Sequence, residues 1–400
     1  MKAKRALIEE RPLQEVNRTF ESTPKSTVTV VTRKRHLLAL LCIAVSCTIL
    51  ALGLWPFQAP RNGITWLEYR DGLRFGKYST VMSSEPFQAT DPQDNTGASL
   101  EIWLQPYRIW DSGTVLAFFR PAATSQFSLQ QIQKDLALRT LTQDEGHHRT
   151  TATLRVDEVF RKPQPVFITI TSGVKGAAIY IDGILAAANP RFPLAAKEFS
   201  GRVVLGDSPG QSDSWKGQLF GFAIYHRQLE ATEVFHNYAA WKQTGRPEPA
   251  LNAPNIALYL FNEHSGRVVR NKLQPGVDLY IPEKYRVAGK IVLEPFWTEF
   301  SMTRNYWEAA LKNIVGFVPF GISFYAYLST IPKERTVLLT IAMGAALSCT
   351  IEILQGFLPT RDSGTTDIIT NTLGTWLGAA SYRLLAPSLA RLARFFPWRP

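Results

Sequence analysis

Four long apolar runs interrupt an otherwise mixed sequence, and each predicts a membrane helix. The first covers residues 37–55, contains no charged residue and has about the 20 residues that a helix needs to cross the hydrocarbon core. Three more runs lie close together near the C-terminus, at 311–330, 336–358 and 366–385. The pattern predicts one N-terminal span, three clustered C-terminal spans and a large segment between them.

The first run is interpreted as an uncleaved anchor rather than a signal peptide. A long polar leader precedes it, and it ends in Trp55-Pro56-Phe57 instead of the small residues of a cleavage site. Residues 1–36 are polar and basic without hydrophobic periodicity, which predicts a disordered cytoplasmic tail. The arginine-rich and aromatic residues 387–400 predict a cytoplasmic tail lying in the membrane interface.

Between the first and second spans, residues 60–285 form short alternating or β-branched runs broken by Gly, Pro and Asp. This spacing predicts an all-β jelly-roll sandwich, joined in one chain to an α-helical transmembrane bundle. Asp182-Gly183 is the strongest hairpin signal, since both residues of such a turn favour positive φ. A helix at about 230–242 is followed by a linker at 244–254.

Net charge and cysteine content narrow the function classes. The formal charge is +11, and much of the basic excess flanks the spans, as the positive-inside rule requires. This distribution argues against a nucleic-acid partner and predicts contact with the lipid bilayer. It also predicts a multi-pass protein of the cytoplasmic membrane, with both termini cytoplasmic and the sandwich extracytoplasmic. All three cysteines lie in apolar runs, so the sandwich is predicted to have no disulfide.

Two stretches resemble laminin-G-like, concanavalin A-like jelly rolls: residues 99–106 (SLEIWLQP), and residues 201–241, which contain Trp215-Lys216-Gly217 and a closing helix. A strand at 255–263 resembles one that usually opens such domains, and we expect it to complete a sheet here. The resemblance implies binding of a glycan or a surface protein, in some members with calcium. It does not identify a cofactor.

Four residues of the predicted sandwich are candidates for ligand binding: Asp182, Asp207, Asp213 and Trp215. Carboxylates suit a hard cation, and an indole can stack on a sugar. The competing interpretation makes Asp182 and Asp207 turn residues and Trp215 a core residue.

Catalysis is disfavoured in the sandwich. Glycosidases need two carboxylates flanking the bond, yet Trp103 occupies the next position on the same strand face as Glu101. Residues 144–148 (DEGHH) match no zinc-ligand spacing, which favours a solvated loop. The sequence therefore favours a protein that is not an enzyme.

Polar residues occur at helical spacing inside the last two spans. Ser348, Glu352 and Gln355 share one face of the third span, and Asp367 and Asn371 share one face of the fourth. Carboxylates at membrane depth are costly and normally face a bundle interior, so they suggest a functional site.

These polar positions, with Arg361 in the loop between the two spans, complete the polar site predicted for the membrane region. The arginine could pair with Asp367 or hold a phosphate. The competing interpretation is a buried network that only fixes the helices together.

The C-terminal region, residues 296–386, resembles the VanZ-like family. The resemblance rests on Asn313-Ile314-x-x-Phe317-x-Pro319-x-Gly321, Glu352-x-x-Gln355-x-Phe357, Arg361 and Asp367-x-x-x-Asn371-x-x-Gly374-x-x-x-Gly378. It implies a bacterial cell-envelope protein, and the family's namesake is associated with low-level resistance to the glycopeptide teicoplanin. The large domain after the first span departs from the family pattern, so a role in glycopeptide susceptibility does not follow directly.

Three hypotheses remain at this point. The first is an envelope protein that binds a glycan or surface protein through its jelly roll and presents a polar outer-leaflet site. The second is a transporter or processing enzyme for a lipid-linked envelope precursor, with intramembrane carboxylates handling protons. The third is a structural scaffold.

Overall fold

A computed structural model describes residues 25–87, 97–120, 127–143, 149–174, 176–192, 194, 196–247, 255–273, 277–331 and 335–395. The predicted solvated loop at 144–148, most of the linker at 244–254 and residues 1–24 of the predicted tail lie outside these ranges, as do residues 396–400 and the side chains from 387 onward.

Helices and strands of the described residues follow the predicted division into a β domain and a helical region. The helices are α1 (Lys25–Leu54), α2 (Ala231–Thr244), α3 (Phe296–Glu299), α4 (Arg304–Leu328), α5 (Thr336–Gln355) and α6 (Thr365–Phe395). The strands are β1 (Ile64–Trp66), β2 (Leu73–Phe75), β3 (Val81–Ser83), β4 (Ala98–Pro106), β5 (Ser112–Phe119), β6 (Phe127–Ile132), β7 (Asp135–Gln143), β8 (Arg149–Val156), β9 (Val166–Gly173), β10 (Gly176–Ile181), β11 (Ile184–Asn189), β12 (Arg202–Leu205), β13 (Gly217–Tyr225), β14 (Asn255–Tyr259), β15 (Val268–Val269) and β16 (Leu279–Tyr280).

Two antiparallel sheets face each other in the β domain, which confirms the predicted sandwich. One has the order β1-β2-β13-β4-β9-β10-β11, and the other has the order β15-β16-β3-β12-β5-β6-β7-β8. Along β4, Leu100, Ile102 and Leu104 alternate into the core between the sheets, as the period of a strand requires.

Strand β14 completes the first sheet by pairing with the second half of β13, next to β2 on the first half. It covers residues 255–259 of the late strand that the sequence predicts at 255–263. The hairpin between β10 and β11 turns at Asp182 and Gly183, whose φ angles of 50° and 80° are those that Asp-Gly favours.

Helix α2 covers the outer face of the first sheet and is tied to it by a buried carboxylate. Glu101 of β4 is fully buried and accepts hydrogen bonds from Tyr225 Oη (2.6 Å), Asn237 Nδ2 (2.8 Å) and Trp241 Nε1 (2.9 Å). Burial raises the pKa of Glu101, and the three donors oppose that rise. The carboxylate thus joins α2 to the sheet.

The first and last residues of the β domain lie side by side. Tyr285 N donates to Pro60 O at 2.9 Å, and Asn62 N donates to Glu283 O at 3.0 Å. The chain therefore enters the domain from α1 and leaves it towards α3 through one paired stem.

Within the part of the chain that the structure describes, three helices are long and apolar enough to cross a membrane: residues 32–54 of α1, and α4 and α5. The fourth predicted span lies within α6, which packs along α4 and α5. Helix α1 begins at Lys25, so residues 25–36 are helical, whereas their polar and basic sequence predicts a disordered tail.

Helices α4 and α6 approach each other closely at glycines. A Cβ atom at Gly321 would collide with the Thr375 carbonyl, one at Gly374 with the Ile314 carbonyl, and one at Gly378 with the Val318 carbonyl. Small residues allow this backbone contact, as is common between membrane helices.

Candidate functional site

The five polar residues that the sequence places on α5, α6 and their connecting loop line one cavity of about 300 Å³. They are Glu352, Gln355, Arg361, Asp367 and Asn371. Lys312 and Asn313 of α4 contribute further polar groups, and Ile49, Leu52 and Gly53 of α1 form an apolar wall. Periodicity could not identify the α1 residues, because α1 carries no polar stripe.

Glu352 is the most deeply buried charged residue of this cavity, with 1% of its surface exposed. Its Oε2 accepts the N–H of Gly364 at 2.9 Å, and its carbonyl accepts a hydrogen bond from Ser363 Oγ at 2.6 Å. The loop after α5 therefore folds back over the carboxylate. A Cβ at position 364 would meet the carboxylate of Glu299, which would have to move to accommodate it.

Gln355 and Arg361 bind the end of α1. Gln355 Nε2 donates to Gly53 O at 2.9 Å, and Arg361 Nε donates to Trp55 O at 2.7 Å. The last carbonyls of a helix have no partner within the helix, and a cation suits its C-terminal dipole. The sequence predicts α1 to be an uncleaved anchor, and in the structure α1 also forms a wall of the cavity. Arg361 donates to α1 rather than to Asp367, the ion-pair partner suggested by the sequence.

Two amide side chains leave acceptor oxygens unused beside Glu352. Asn371 Nδ2 donates to Ser348 Oγ at 2.9 Å, while Asn371 Oδ1 and Gln355 Oε1 are buried without a hydrogen-bond partner among the described residues. The Asn313 side chain hydrogen-bonds to Asp367. The buried part of the cavity is therefore rich in acceptors.

A second cavity of about 430 Å³ lies beside the first, and Asp367 lines both. Glu294, Glu299 and Asp362 add further carboxylates, and Gln211 of the β domain lies at its edge. Burial and the neighbouring carboxylates raise the pKa of Glu294. Sequence reasoning missed Glu294 and Glu299, because the segment between the β domain and α4 shows no periodic pattern.

Lys290 connects the β domain to the helical bundle. Its Nζ donates to Gln355 O at 2.8 Å and also to the carbonyls of Leu358 and Arg361. On the other side of the same segment, Ile291 N donates to Gly210 O at 3.2 Å. Half-burial lowers the pKa of Lys290. The loop containing Gly210 is thereby held above the end of α5.

Three of the predicted ligand residues of the sandwich are occupied by contacts within the protein. Asp207 is buried and accepts from Tyr285 Oη at 2.6 Å and from Asp213 N at 2.8 Å, while Asp213 accepts from Thr114 Oγ1 at 2.7 Å. A calcium ion would have to displace these donors. Trp215 is fully buried and donates to Gln131 Oε1 at 2.8 Å, so its indole is a core group and is not exposed to a sugar.

Asp182 lies at the rim of an aromatic pocket of about 310 Å³ on the outer face of the first sheet. Its Oδ1 accepts from Phe167 N at 3.0 Å. The other lining residues are Trp103, Pro165, Phe167, Tyr238, Trp241 and Lys242. Only Asp182 of the four predicted candidates thus lines a pocket described here.

The fold and the spans define a membrane protein that carries a concanavalin A-like domain: residues 76–235 match the model of the concanavalin A-like lectin/glucanases superfamily. The C-terminal region is VanZ-like, since residues 256–386 match the VanZ/LLP1 family model. That match begins at β14, so strands of the VanZ-like region complete both sheets of the sandwich.

Protein VanZ from Enterococcus faecium is 37% identical over 87 residues, which are 22% of this chain and 51% of that protein. The chain therefore spans about half the length of this relative. The binding domain of botulinum neurotoxin serotype D is similar at TM-score 0.36 and 13% identity, covering 48% of this chain and 49% of that chain. A heptameric SAP-like pentraxin from Limulus polyphemus has TM-score 0.34 and 12% identity, covering 56% of this chain and 94% of that chain.

Proposed function

We propose that the protein binds a polar ligand of the cell envelope in the cavity between α1, α4, α5 and α6, while its β domain binds an envelope glycan or surface protein. The observation that supports this most directly is the convergence of Glu352, Gln355, Arg361, Asp367 and Asn371 on one cavity. A network that only fixed helices together would not need such a space. The distribution of basic residues favours an outer-leaflet position for this end of the bundle.

The cavity has two kinds of wall, which favours an amphiphilic ligand. Glu352, Asp367 and Asn371 provide polar groups, while Ile49 and Phe317 provide apolar surface. A ligand with a head group and a hydrocarbon chain satisfies both walls at membrane depth.

Gly316 allows a direct test of ligand binding in the bundle. It lines the cavity, and a Cβ placed on it meets nothing within 4 Å, so Gly316→Leu is expected to fill the space while the helices still pack. We expect the purified variant to lose co-purifying amphiphiles in native mass spectrometry and to fail to complement a deletion strain in envelope-stress and glycopeptide-susceptibility assays. Gly316→Ala, which adds one methyl group, should behave as the wild type. Full complementation and unchanged amphiphile content in Gly316→Leu would contradict the proposal.

The aromatic pocket beside Asp182 is the proposed glycan site. Half-buried Trp103 and Tyr238 offer ring surface, and Asp182 and Lys242 offer polar groups at the rim. We expect the detergent-solubilised full chain to bind glycans or muropeptides on an array, and Trp103→Ala or Tyr238→Ala to weaken binding at least tenfold. Tyr107→Ala, which removes an exposed ring outside this pocket, is the matched control. Absence of binding with calcium present would reject the glycan site.

A second function, transport or processing of a lipid-linked precursor, is favoured by the position of Asp367. This carboxylate lines both the cavity between the helices and the second cavity, which is also lined by Gln211. Proton handling at the two intramembrane carboxylates predicts that Glu352→Gln and Asp367→Asn insert normally but fail to complement the deletion strain. Full rescue by both variants would exclude that role.

A further inference from the structure

The proposed ligand site of the bundle has buried acceptors without a donor among the described residues, and these acceptors indicate the chemistry of a ligand. Gly53 O can only accept a hydrogen bond, so the amide nitrogen of Gln355 must face it and Oε1 must face away. Gln355 is 8% exposed, and its Oε1 has no partner among the described residues. Asn371, 5% exposed, donates through Nδ2 to Ser348 Oγ, and its Oδ1 has no partner among the described residues.

Positive groups at the cavity do not reach these acceptors. Two Arg361 nitrogens donate to carbonyls of α1, and Lys312 is exposed on α4. Buried Glu352 and half-buried Asp367 add carboxyl groups on the same walls. Leaving a buried acceptor unpaired is unfavourable, and a charge-assisted hydrogen bond to a cationic donor is stronger than a neutral one. The buried wall therefore favours a ligand that brings several N–H donors on a positive centre.

We propose that this cavity binds the primary ammonium group of a zwitterionic amphiphile, the class to which aminophospholipids belong. The ammonium donates to Glu352, Gln355 Oε1 and Asn371 Oδ1, and the phosphate lies towards exposed Lys312. The hydrocarbon chain follows the apolar wall of α1. This inference rests on the proposed function and names the ligand class of the same site.

Lipid selectivity of the wild-type full chain tests the inference. Purified protein in detergent is titrated with dioleoyl-phosphatidylethanolamine, dioleoyl-phosphatidylcholine, dioleoyl-phosphatidylglycerol and soluble phosphoethanolamine, and binding is read by native mass spectrometry. We expect phosphatidylethanolamine to bind about tenfold tighter than phosphatidylcholine, because trimethylation removes every N–H donor, and a factor of ten corresponds to about 1.4 kcal/mol. Weaker binding of phosphoethanolamine than of phosphatidylethanolamine identifies the ligand as a lipid, and equal binding of the two identifies it as a soluble amine. Either result supports recognition of the ammonium.

Matched substitutions test whether Glu352 is responsible for the lipid selectivity. Glu352→Gln should reduce the preference for phosphatidylethanolamine to less than threefold, whereas Glu308→Gln, the same change at an exposed residue of α4 outside the cavity, should leave it unchanged. Equal binding of the ethanolamine and choline lipids to the wild type overturns the ammonium inference but leaves a lipid-binding cavity. If none of the probes binds and Gly316→Leu behaves as the wild type, the proposed function fails as well.

Discussion

Among the described residues, the β domain and the helical bundle each bury one glutamate, and the two carboxylates differ in their hydrogen-bonding surroundings. Glu101 of the β domain is fully enclosed and accepts hydrogen bonds from three side chains. Glu352 of the bundle is equally deep, but it faces a cavity whose other acceptors, Gln355 Oε1 and Asn371 Oδ1, have no donor among the described residues.

This difference separates a structural carboxylate from a candidate ligand contact. A fully satisfied buried network rigidifies a fold, whereas unpaired acceptors beside a cavity are costly unless a ligand or solvent pairs them. Both carboxylates are buried, so burial alone does not distinguish a structural carboxylate from a ligand contact. The number of hydrogen-bond donors around each carboxylate does.

Removing the Glu101 carboxylate should produce the largest loss of stability. Glu101→Leu leaves the donors of Tyr225, Asn237 and Trp241 buried without an acceptor, and we expect a loss of roughly 3–5 kcal/mol in the free energy of unfolding. Thermal unfolding of the detergent-solubilised chain, followed by tryptophan fluorescence, measures it. Glu283→Gln at an exposed position should change stability by less than about 0.5 kcal/mol. A similar small change in Glu101→Leu would contradict the structural role.

Glycines of α4 differ in whether they contact the backbone of α6. Gly321→Ala places a methyl group against the Thr375 carbonyl, and we expect it to cost roughly 1–3 kcal/mol through overpacking. Gly316→Ala on the same helix meets nothing within 4 Å and is the matched control. The midpoint of thermal aggregation in detergent is measured for both variants, and the two midpoints are compared. Equal midpoints for the two variants would show that the helices can separate without cost.

Sequence patterns identified the polar residues of the bundle because they repeat at helical spacing on two spans. Glu352 and Gln355 on α5, and Asp367 and Asn371 on α6, share faces by periodicity alone. Their contacts with α1 could not be predicted. Arg361 and Trp55 are 306 positions apart, and α1 has no polar residue that marks its contact face.

The β domain shows the same limit. Alternation along 99–106 predicted the strand but left the face of Glu101 undecided. Its partner at position 225 becomes a neighbour only when β13 pairs with β4, and those at 237 and 241 only when α2 packs on the sheet. Trp215 could be interpreted either as a sugar platform or as a core residue, since indoles serve in both settings. Only the packing of the two sheets distinguishes these alternatives.

Asp207 makes part of the stability of the β domain depend on pH. Burial raises its pKa from 3.8 to about 7, so the folded state binds this proton more tightly than the unfolded state does. The resulting stabilisation is fully present below pH 3.8 and is lost as pH rises through about 7. We expect the wild type to lose about 1–2 kcal/mol more than Asp207→Asn between pH 5 and pH 8, measured by thermal unfolding across that range. Asp157→Asn at an exposed position should keep the wild-type slope, and an unchanged slope in Asp207→Asn would reject this assignment.

The smallest expected change is in Glu352→Gln, which separates the two buried glutamates most sharply. The amide keeps an oxygen for the N–H of Gly364, and its new NH₂ group can donate to acceptors of the cavity, so we expect a change in stability of less than about 1 kcal/mol. Glu101→Gln places the same NH₂ group among three donors and should cost more. Thermal unfolding of both variants under one condition gives the comparison. An equal cost would mean that the Glu352 carboxylate is as fully paired as that of Glu101, and the bundle site would then be a structural network.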